Sequence, residues 1–162
     1  MNMFGFGKKK TAKEILATQS GSLVPMEQVP DDVFAQKILG DGIAVLPTDG
    51  KVVSPVDGVI SNVTDTLHAY GIASDDGLDI LVHIGVNTVE LKGEGFQALV
   101  KEGDHVKAGD PLAQVDLELV ASKGYPLHTP IIITNIDEIT DLHFEQGDTI
   151  AGETVVMTYH HA

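Results

Sequence analysis

Apolar and polar residues alternate with a period of two along much of the chain, in runs too short for helices of ordinary length. The clearest run is Leu78 to Val86, LDILVHIGV. Leu78, Ile80, Val82, Ile84 and Val86 share one parity and make a core-facing side, while Asp79, Leu81, His83, Gly85 and Asn87 take the other. Further apolar runs of strand length lie at Ile43–Leu46, Val52–Val53, Val59–Val63, Leu112–Val115, Ile131–Ile136 and Thr154–Tyr159. Between them stand Asp41-Gly42, Asp49-Gly50, Asp57-Gly58 and Asp76-Gly77, each a strong turn signal. This spacing predicts an all-β fold, an antiparallel β-sandwich or barrel.

Two stretches resist the strand reading. Pro30 to Leu39, PDDVFAQKIL, suits one or two helical turns, with Asp31 and Asp32 at the end where the helix dipole favours acids. Leu117 to Lys123, LELVASK, suits another short turn, stopped by Gly124. The chain also repeats itself faintly. Gly103 to Leu112, GDHVKAGDPL, and Gly147 to Val155, GDTIAGETV, both read Gly-Asp-x-apolar, then Gly-acid, then apolar, with the second copy one residue shorter between its glycines. Proline-containing strand segments, Ser54-Pro55-Val56 and Thr129-Pro130-Ile131, precede them. A sandwich built from two related half-units explains the repeat.

A length of 162 residues suits one domain with a core of its own. The domain is expected to run from residue 19 to 162, after a flexible basic tail over residues 1 to 18 that begins with Phe4, Phe6 and a lysine cluster. The absence of cysteine excludes disulfides and thiolate metal sites, and makes the cytoplasm the easier assignment. No apolar run approaches the roughly 20 residues of a membrane span. The first 13 residues hold four lysines and no acid, whereas the remaining 149 hold six lysines against 24 acids. So acidic a body argues against nucleic acid as a partner and is compatible with a basic protein.

Of seven histidines, His83 is the one placed mid-strand on the face away from the core. His68 lies in TDTLHAY, where an extended segment would turn Thr66, His68 and Tyr70 to one side. Two such histidines on adjacent strands can bind a metal, share a proton, or act as nucleophile and charge stabiliser; two unconnected surface histidines are the plain alternative. A metal needs at least a third ligand, and no His-x-His or His-Glu-x-x-His pattern supplies one. A nucleophile needs one ring nitrogen free and the other N–H held by a fixed acceptor. His105 is expected in a solvated turn, His128 and His143 to be structural or exposed, and His160 and His161 at a frayed end.

LVHIGVNTVELKGEGF, with VPDDVFAQKILGDG, SPVDGVI and TNIDEI, closely resembles the glucose-family IIA component of the bacterial sugar phosphotransferase system, over roughly Gly21 to Tyr159. The resemblance implies an antiparallel β-sandwich that accepts a phosphoryl group from the phosphocarrier HPr and passes it to a IIB domain, which phosphorylates sugar as it crosses the membrane through IIC. It implies that His83 is phosphorylated on Nε2 and that His68 steadies the phosphoryl group. Thr66 would then orient His68, and the carbonyl of the Gly85 region would hold His83 Nδ1–H. It implies a shallow partner-binding patch of Val33, Phe34, Ile38, Leu39 and Leu81, although Phe34 and Ile38 also suit plain core packing. Asn87 stands where some relatives carry aspartate, so that Asp31 or Asp32 would supply the charge contact with HPr. No cofactor or metal is expected, contact with the membrane only through IIB and IIC, and a monomer. A role in regulation, set by phosphorylation state, is compatible with the relay. The competing readings are a zinc hydrolase using His68 and His83, and a carrier module, since GDHVKAGDPL resembles the turn scaffold of biotin- and lipoyl-carrying domains. The latter need a lysine at a hairpin tip in a context like Met-Lys-Met, which this chain lacks.

Overall fold

The computed structural model describes residues 12–162. The strands in chain order are β1 (Lys13–Leu16), β2 (Gly21–Pro25), β3 (Asp41–Pro47), β4 (Lys51–Val53), β5 (Gly58–Val63), β6 (Ala69–Ser74) and β7 (Asp79–His83). They continue as β8 (Phe96–Ala98), β9 (His105–Val106), β10 (Pro111–Val115), β11 (Thr129–Ile133), β12 (Ile139–Phe144), β13 (Asp148–Thr149) and β14 (Val155–His161). Two short helices, α1 (Asp32–Ala35) and α2 (Leu117–Ser122), interrupt them where helical turns are expected. Each starts on an aspartate whose side chain accepts a backbone N–H, Asp31 from Val33 and Asp116 from Leu119.

Every strand pairing is antiparallel. An eight-stranded sheet, ordered β13-β2-β3-β11-β7-β6-β5-β9, faces two three-stranded sheets, β1-β14-β12 and β4-β10-β8. All three contribute to one core, with Ile15 and Val156 from one small sheet, Val52 and Leu112 from the other, and Val45, Ile60, Ile80, Val82 and Ile131 from the large one. The alternation that filled this core leaves the opposite parity on the outer face. There Ala44, Leu81 and Ile132 form a second, smaller cluster, roofed by Met26 and Val29 from the segment leading into α1 and by Phe34 from α1 itself.

The sequence repeat is a repeat in space. Its two copies supply β9 and β13, the opposite edges of the eight-stranded sheet. They meet at their second glycines: a Cβ on Gly152 would lie 3.0 Å from Gly109 Cα. Gly109 N–H donates to Ser54 O and Gly152 N–H to Ala17 O, each at 2.8 Å, so the second turn is held by Ala17 and not by the Thr129-Pro130 segment that the repeat in the sequence sets against Ser54.

Three expectations are corrected. The tail does not extend to residue 18: β1 pairs with β14, and Ile15, Ala17 and Thr18 are wholly buried, because Lys13–Leu16 closes the edge of a three-stranded sheet. The rest of the predicted tail, up to residue 11, lies outside the described residues. The C-terminus is not frayed either. His160 and His161 belong to β14, and Asp76, held below its usual carboxylate range against the cost of its own burial, accepts from Tyr159 Oη and approaches His161 Nε2 at 2.7 Å. Lastly, the strand expected over Leu78–Val86 ends at His83, and Val86 joins the outer cluster rather than the main core. Gly85, at φ +79°, breaks the alternation and sends Val86 to the other side.

Candidate active site

His83 is the last residue of β7, opposite Ala69, the first residue of β6. His68 therefore immediately precedes the strand that neighbours His83, and its carbonyl accepts the Ile84 N–H at 2.7 Å. The two rings meet nearly edge to face, with centroids 4.8 Å apart and planes at 80°. On its other side His83 receives Phe34, with ring centroids 4.9 Å apart at 60°. His83 is half-buried and His68 buried.

What surrounds Nδ1 differs between the two rings. His83 Nδ1 lies 2.8 Å from the carbonyl oxygen of Gly85. A carbonyl only accepts, so Nδ1 carries the proton and Nε2 of the neutral ring is a bare lone pair. The carbonyl is aimed by the turn after the strand, which is tightly held. Thr88 is fully buried and its hydroxyl donates back to Ile84 O at 2.5 Å, while Val86 N–H donates to Pro126 O at 3.0 Å. His68 Nδ1 instead faces hydroxyls, Thr66 Oγ1 at 2.7 Å and Thr64 Oγ1 at 3.4 Å.

Thr66 and His68 do not come together by strand alternation. Residues 64–68 form a turn closed by Leu67 N–H to Thr64 O at 2.8 Å, and Leu67 sits at φ +61°. Tyr70, expected on the same side, points into the main core. It is the turn that folds Thr66 back onto the imidazole.

Burial pushes the His68 imidazole down to about 4, helped by the neighbouring His83. Burial also lowers His83, opposed by the hydrogen bond to the Gly85 carbonyl and by the negative charge of Asp31. Both rings are thus neutral near pH 7, which a nitrogen nucleophile requires.

Of the patch expected around the pair, Val33 (41 % exposed), Ile38 (65 %) and Leu39 (41 %) stand open to solvent. Leu81 and Asp31 are half-buried and Asn87 is exposed, in a left-handed turn at φ +61°. Phe34 is instead buried, roofing the outer cluster and bracing His83, so its part in the rim is internal support. Val89, 46 % exposed in the short helical turn Thr88–Leu91 after His83, is a further exposed apolar side chain and carried no signal in the sequence beyond its hydrophobicity. His105 and His143 are exposed and His128 is half-buried. Among the described residues, no three His, Cys, Asp or Glu side chains gather as a metal site would need, and no helix is long and apolar enough to cross a membrane.

Residues 13–139 match the family described as the phosphoenolpyruvate-dependent sugar phosphotransferase system, EIIA 1. The chain is 47% identical to the glucose-specific EIIA component of Haemophilus influenzae over 156 residues, covering 96% of this chain and 94% of that one. It is 41% identical to the corresponding component of Buchnera aphidicola, covering 96% of each. Among solved structures, glucose permease IIA from Mycoplasma capricolum superposes with a TM-score of 0.86 at 36% identity, over 91% of this chain and 96% of that one.

Proposed function

This chain belongs to the EIIA 1 family of the phosphoenolpyruvate-dependent sugar phosphotransferase system, and from that membership we propose that it relays a phosphoryl group from HPr to a IIB domain through a phosphohistidine at His83. The observation that carries the assignment to His83 is its tautomer. With Nδ1–H donated to Gly85 O, the bare Nε2 is the nucleophile.

In the first half-reaction the bond between phosphorus and the donor's histidine nitrogen breaks as a bond from phosphorus to His83 Nε2 forms, in line. No proton has to leave His83. The ring gains positive character on phosphorylation, and the Gly85 carbonyl on Nδ1–H offsets it. His68, edge to face with His83, donates Nε2–H to a phosphoryl oxygen. It thereby stabilises charge that is greatest in the transition state, and needs no metal to do so. The second half-reaction repeats these events toward IIB. Both require two proteins to bring their reacting atoms together, which the half-buried ring allows, and the exposed Val33, Ile38 and Leu39 are the apolar side chains assigned to that contact. Asp31 is the nearby acid for a basic donor. Glucose, named by the relatives, is the first sugar to test.

The test is incubation with phosphoenolpyruvate, enzyme I and HPr, followed by intact mass, acid lability and transfer to IIB. One acid-labile phosphate is expected, absent in His83→Ala. His68→Ala should still take up phosphate but pass it to IIB about a hundredfold more slowly, the scale of losing one charge-stabilising donor. Failure to take up phosphate from a competent HPr, or uptake by His83→Ala, overturns the proposal.

A further inference from the structure

A third imidazole, His128, is half-buried and has no part in the relay above. It stands in the segment leading into β11, where alternation fixes the side it faces. Tyr125 and Leu127 pack against the main core, Thr129 is fully buried, and Ile131 and Ile133 lie within that core. The positions between them face outward, as Ile132 does in the outer cluster. His128 and Pro130 therefore share the outer side of the sheet with Leu81 and with His83, which meets Phe34 there.

The strand register sets the distance between the two histidines. Ile132 pairs with Leu81 and Ile131 with Val82, so one step further Pro130 comes opposite His83. Beyond that point the two segments stay together, since Val86 N–H donates to Pro126 O at 3.0 Å. His128 lies between these two contacts, as the diagonal neighbour of His83 at about 7–8 Å, a separation that aromatic side chains span. On its other flank, one step past the pairing of Thr129 with Val45, stands the exposed Leu46. Even a weak, transient interface covers about 600 Å² of each partner, a disc about 14 Å in radius. A protein that docks on His83 thus covers His128 as well.

The His128 ring offers such a partner one nitrogen. Nδ1 is buried and, among the described residues, has no hydrogen-bond partner. Burial also lowers the imidazole from its ordinary value, so the ring is neutral near pH 7. A docked protein that covers Nε2 without bonding to it strands a second polar atom. One that places a hydrogen-bonding group there is favoured over one that does not. We propose that His128 is a specificity-determining residue of the relay, which contacts HPr docked on His83 and forms a hydrogen bond to it through Nε2. This rests on the relay proposed above.

The experiment follows phosphate uptake by the full chain as a function of phospho-HPr concentration. His128→Leu should raise the KM about threefold to tenfold, the span of one neutral hydrogen bond, with kcat within about twofold of wild type. His128→Gln, whose amide nitrogen reaches the place of the imidazole Nε2, should bring the KM back to within about twofold. A second measurement needs no variant. Titrating the ¹⁵N-histidine-labelled wild type with unphosphorylated HPr should shift the ring signals of His128 together with those of His83. An unchanged KM in His128→Leu overturns the proposal, as do His128 signals that stay still while those of His83 move. Equal losses in His128→Leu and His128→Gln overturn the hydrogen bond. A wild type whose His128 responds to HPr but which takes up no phosphate overturns the relay and leaves this contact standing.

Discussion

Gly85 and Gly77 lie at opposite ends of β7 with similar backbone angles, φ +79° and φ +92°, and substituting each by alanine separates two costs that are usually measured together. At Gly77 an added Cβ meets nothing within 4 Å, so Gly77→Ala carries only the strain of a side chain at positive φ, about 1–2 kcal/mol. At Gly85 the same Cβ would stand 2.5 Å from Thr88 Cγ2 and 3.2 Å from Pro126 O. Thr88 has little room to yield. It is fully buried, its β-branched side chain is stiff about χ1, and its hydroxyl is committed to Ile84 O, which holds the setting it has. Overpacking of this kind adds about 1–3 kcal/mol, so Gly85→Ala should cost roughly 2–5 kcal/mol in all. Equilibrium urea unfolding of both variants against wild type gives the two values. The folded fraction of Gly85→Ala should also take up phosphate poorly, since the carbonyl that fixes the His83 tautomer has moved. A Gly85→Ala chain no less stable than Gly77→Ala would refute the reasoning, because Thr88 would then be free to move aside.

The pH dependence of stability should carry the mark of His68. Its folded value near 4 lies below the 6.5 of an unperturbed histidine, so the unfolded chain binds the extra proton between them. The contribution of the neutral ring is complete above about pH 6.5 and is lost as pH falls toward 4, amounting to about 3 kcal/mol. Unfolding free energies of wild type minus His68→Asn across that window should show this slope, and parallel curves would count against it. For the apolar rim, Val33→Ser combined with Ile38→Ser should leave stability within about 0.5 kcal/mol per site, since both side chains are exposed. The pair should raise the KM for phospho-HPr about tenfold; an unchanged KM removes these residues from the interface.

Much of the fold was legible because one face of each strand is buried. The alternation in Leu78–Ile84 and the runs at 43–46, 59–63 and 112–115 map onto strands whose apolar parity enters the core. Strands at the margins were harder to see. In β1, KEIL, the run is only four residues long and the lysine and glutamate are exposed, so pairing with β14 and the burial of Ile15 alone decide its state. In β12, ITDLHF, a register irregularity between Thr140 and His143 disrupts the period of two. Val86 shows the limit of periodicity in another way. The pattern predicts it with Ile84, but one glycine at positive φ reverses the parity of everything after it.

The same limit applies to the site, with more consequence. That His83 faces away from the core can be read from its strand, but which of its nitrogens is free cannot, because this depends on where the Gly85 carbonyl points. That direction is set by a backbone angle of +79°. For His68 the partner atoms are side-chain hydroxyls two and four residues back, brought round by a turn with Leu67 at +61°. A strand would have put the Cα atoms two and four residues back about 6–7 Å and about 13 Å away along the chain, too spread for both hydroxyls to face one ring nitrogen. Two imidazoles of identical intrinsic chemistry are thus given opposite Nδ1 environments, one an acceptor and the other a pair of possible donors, by two short departures from regular β structure. Moving either turn by one residue would leave the histidines neighbours on adjacent strands and remove the asymmetry, so the proposed division into nucleophile and donor rests on the turns rather than on the sheet.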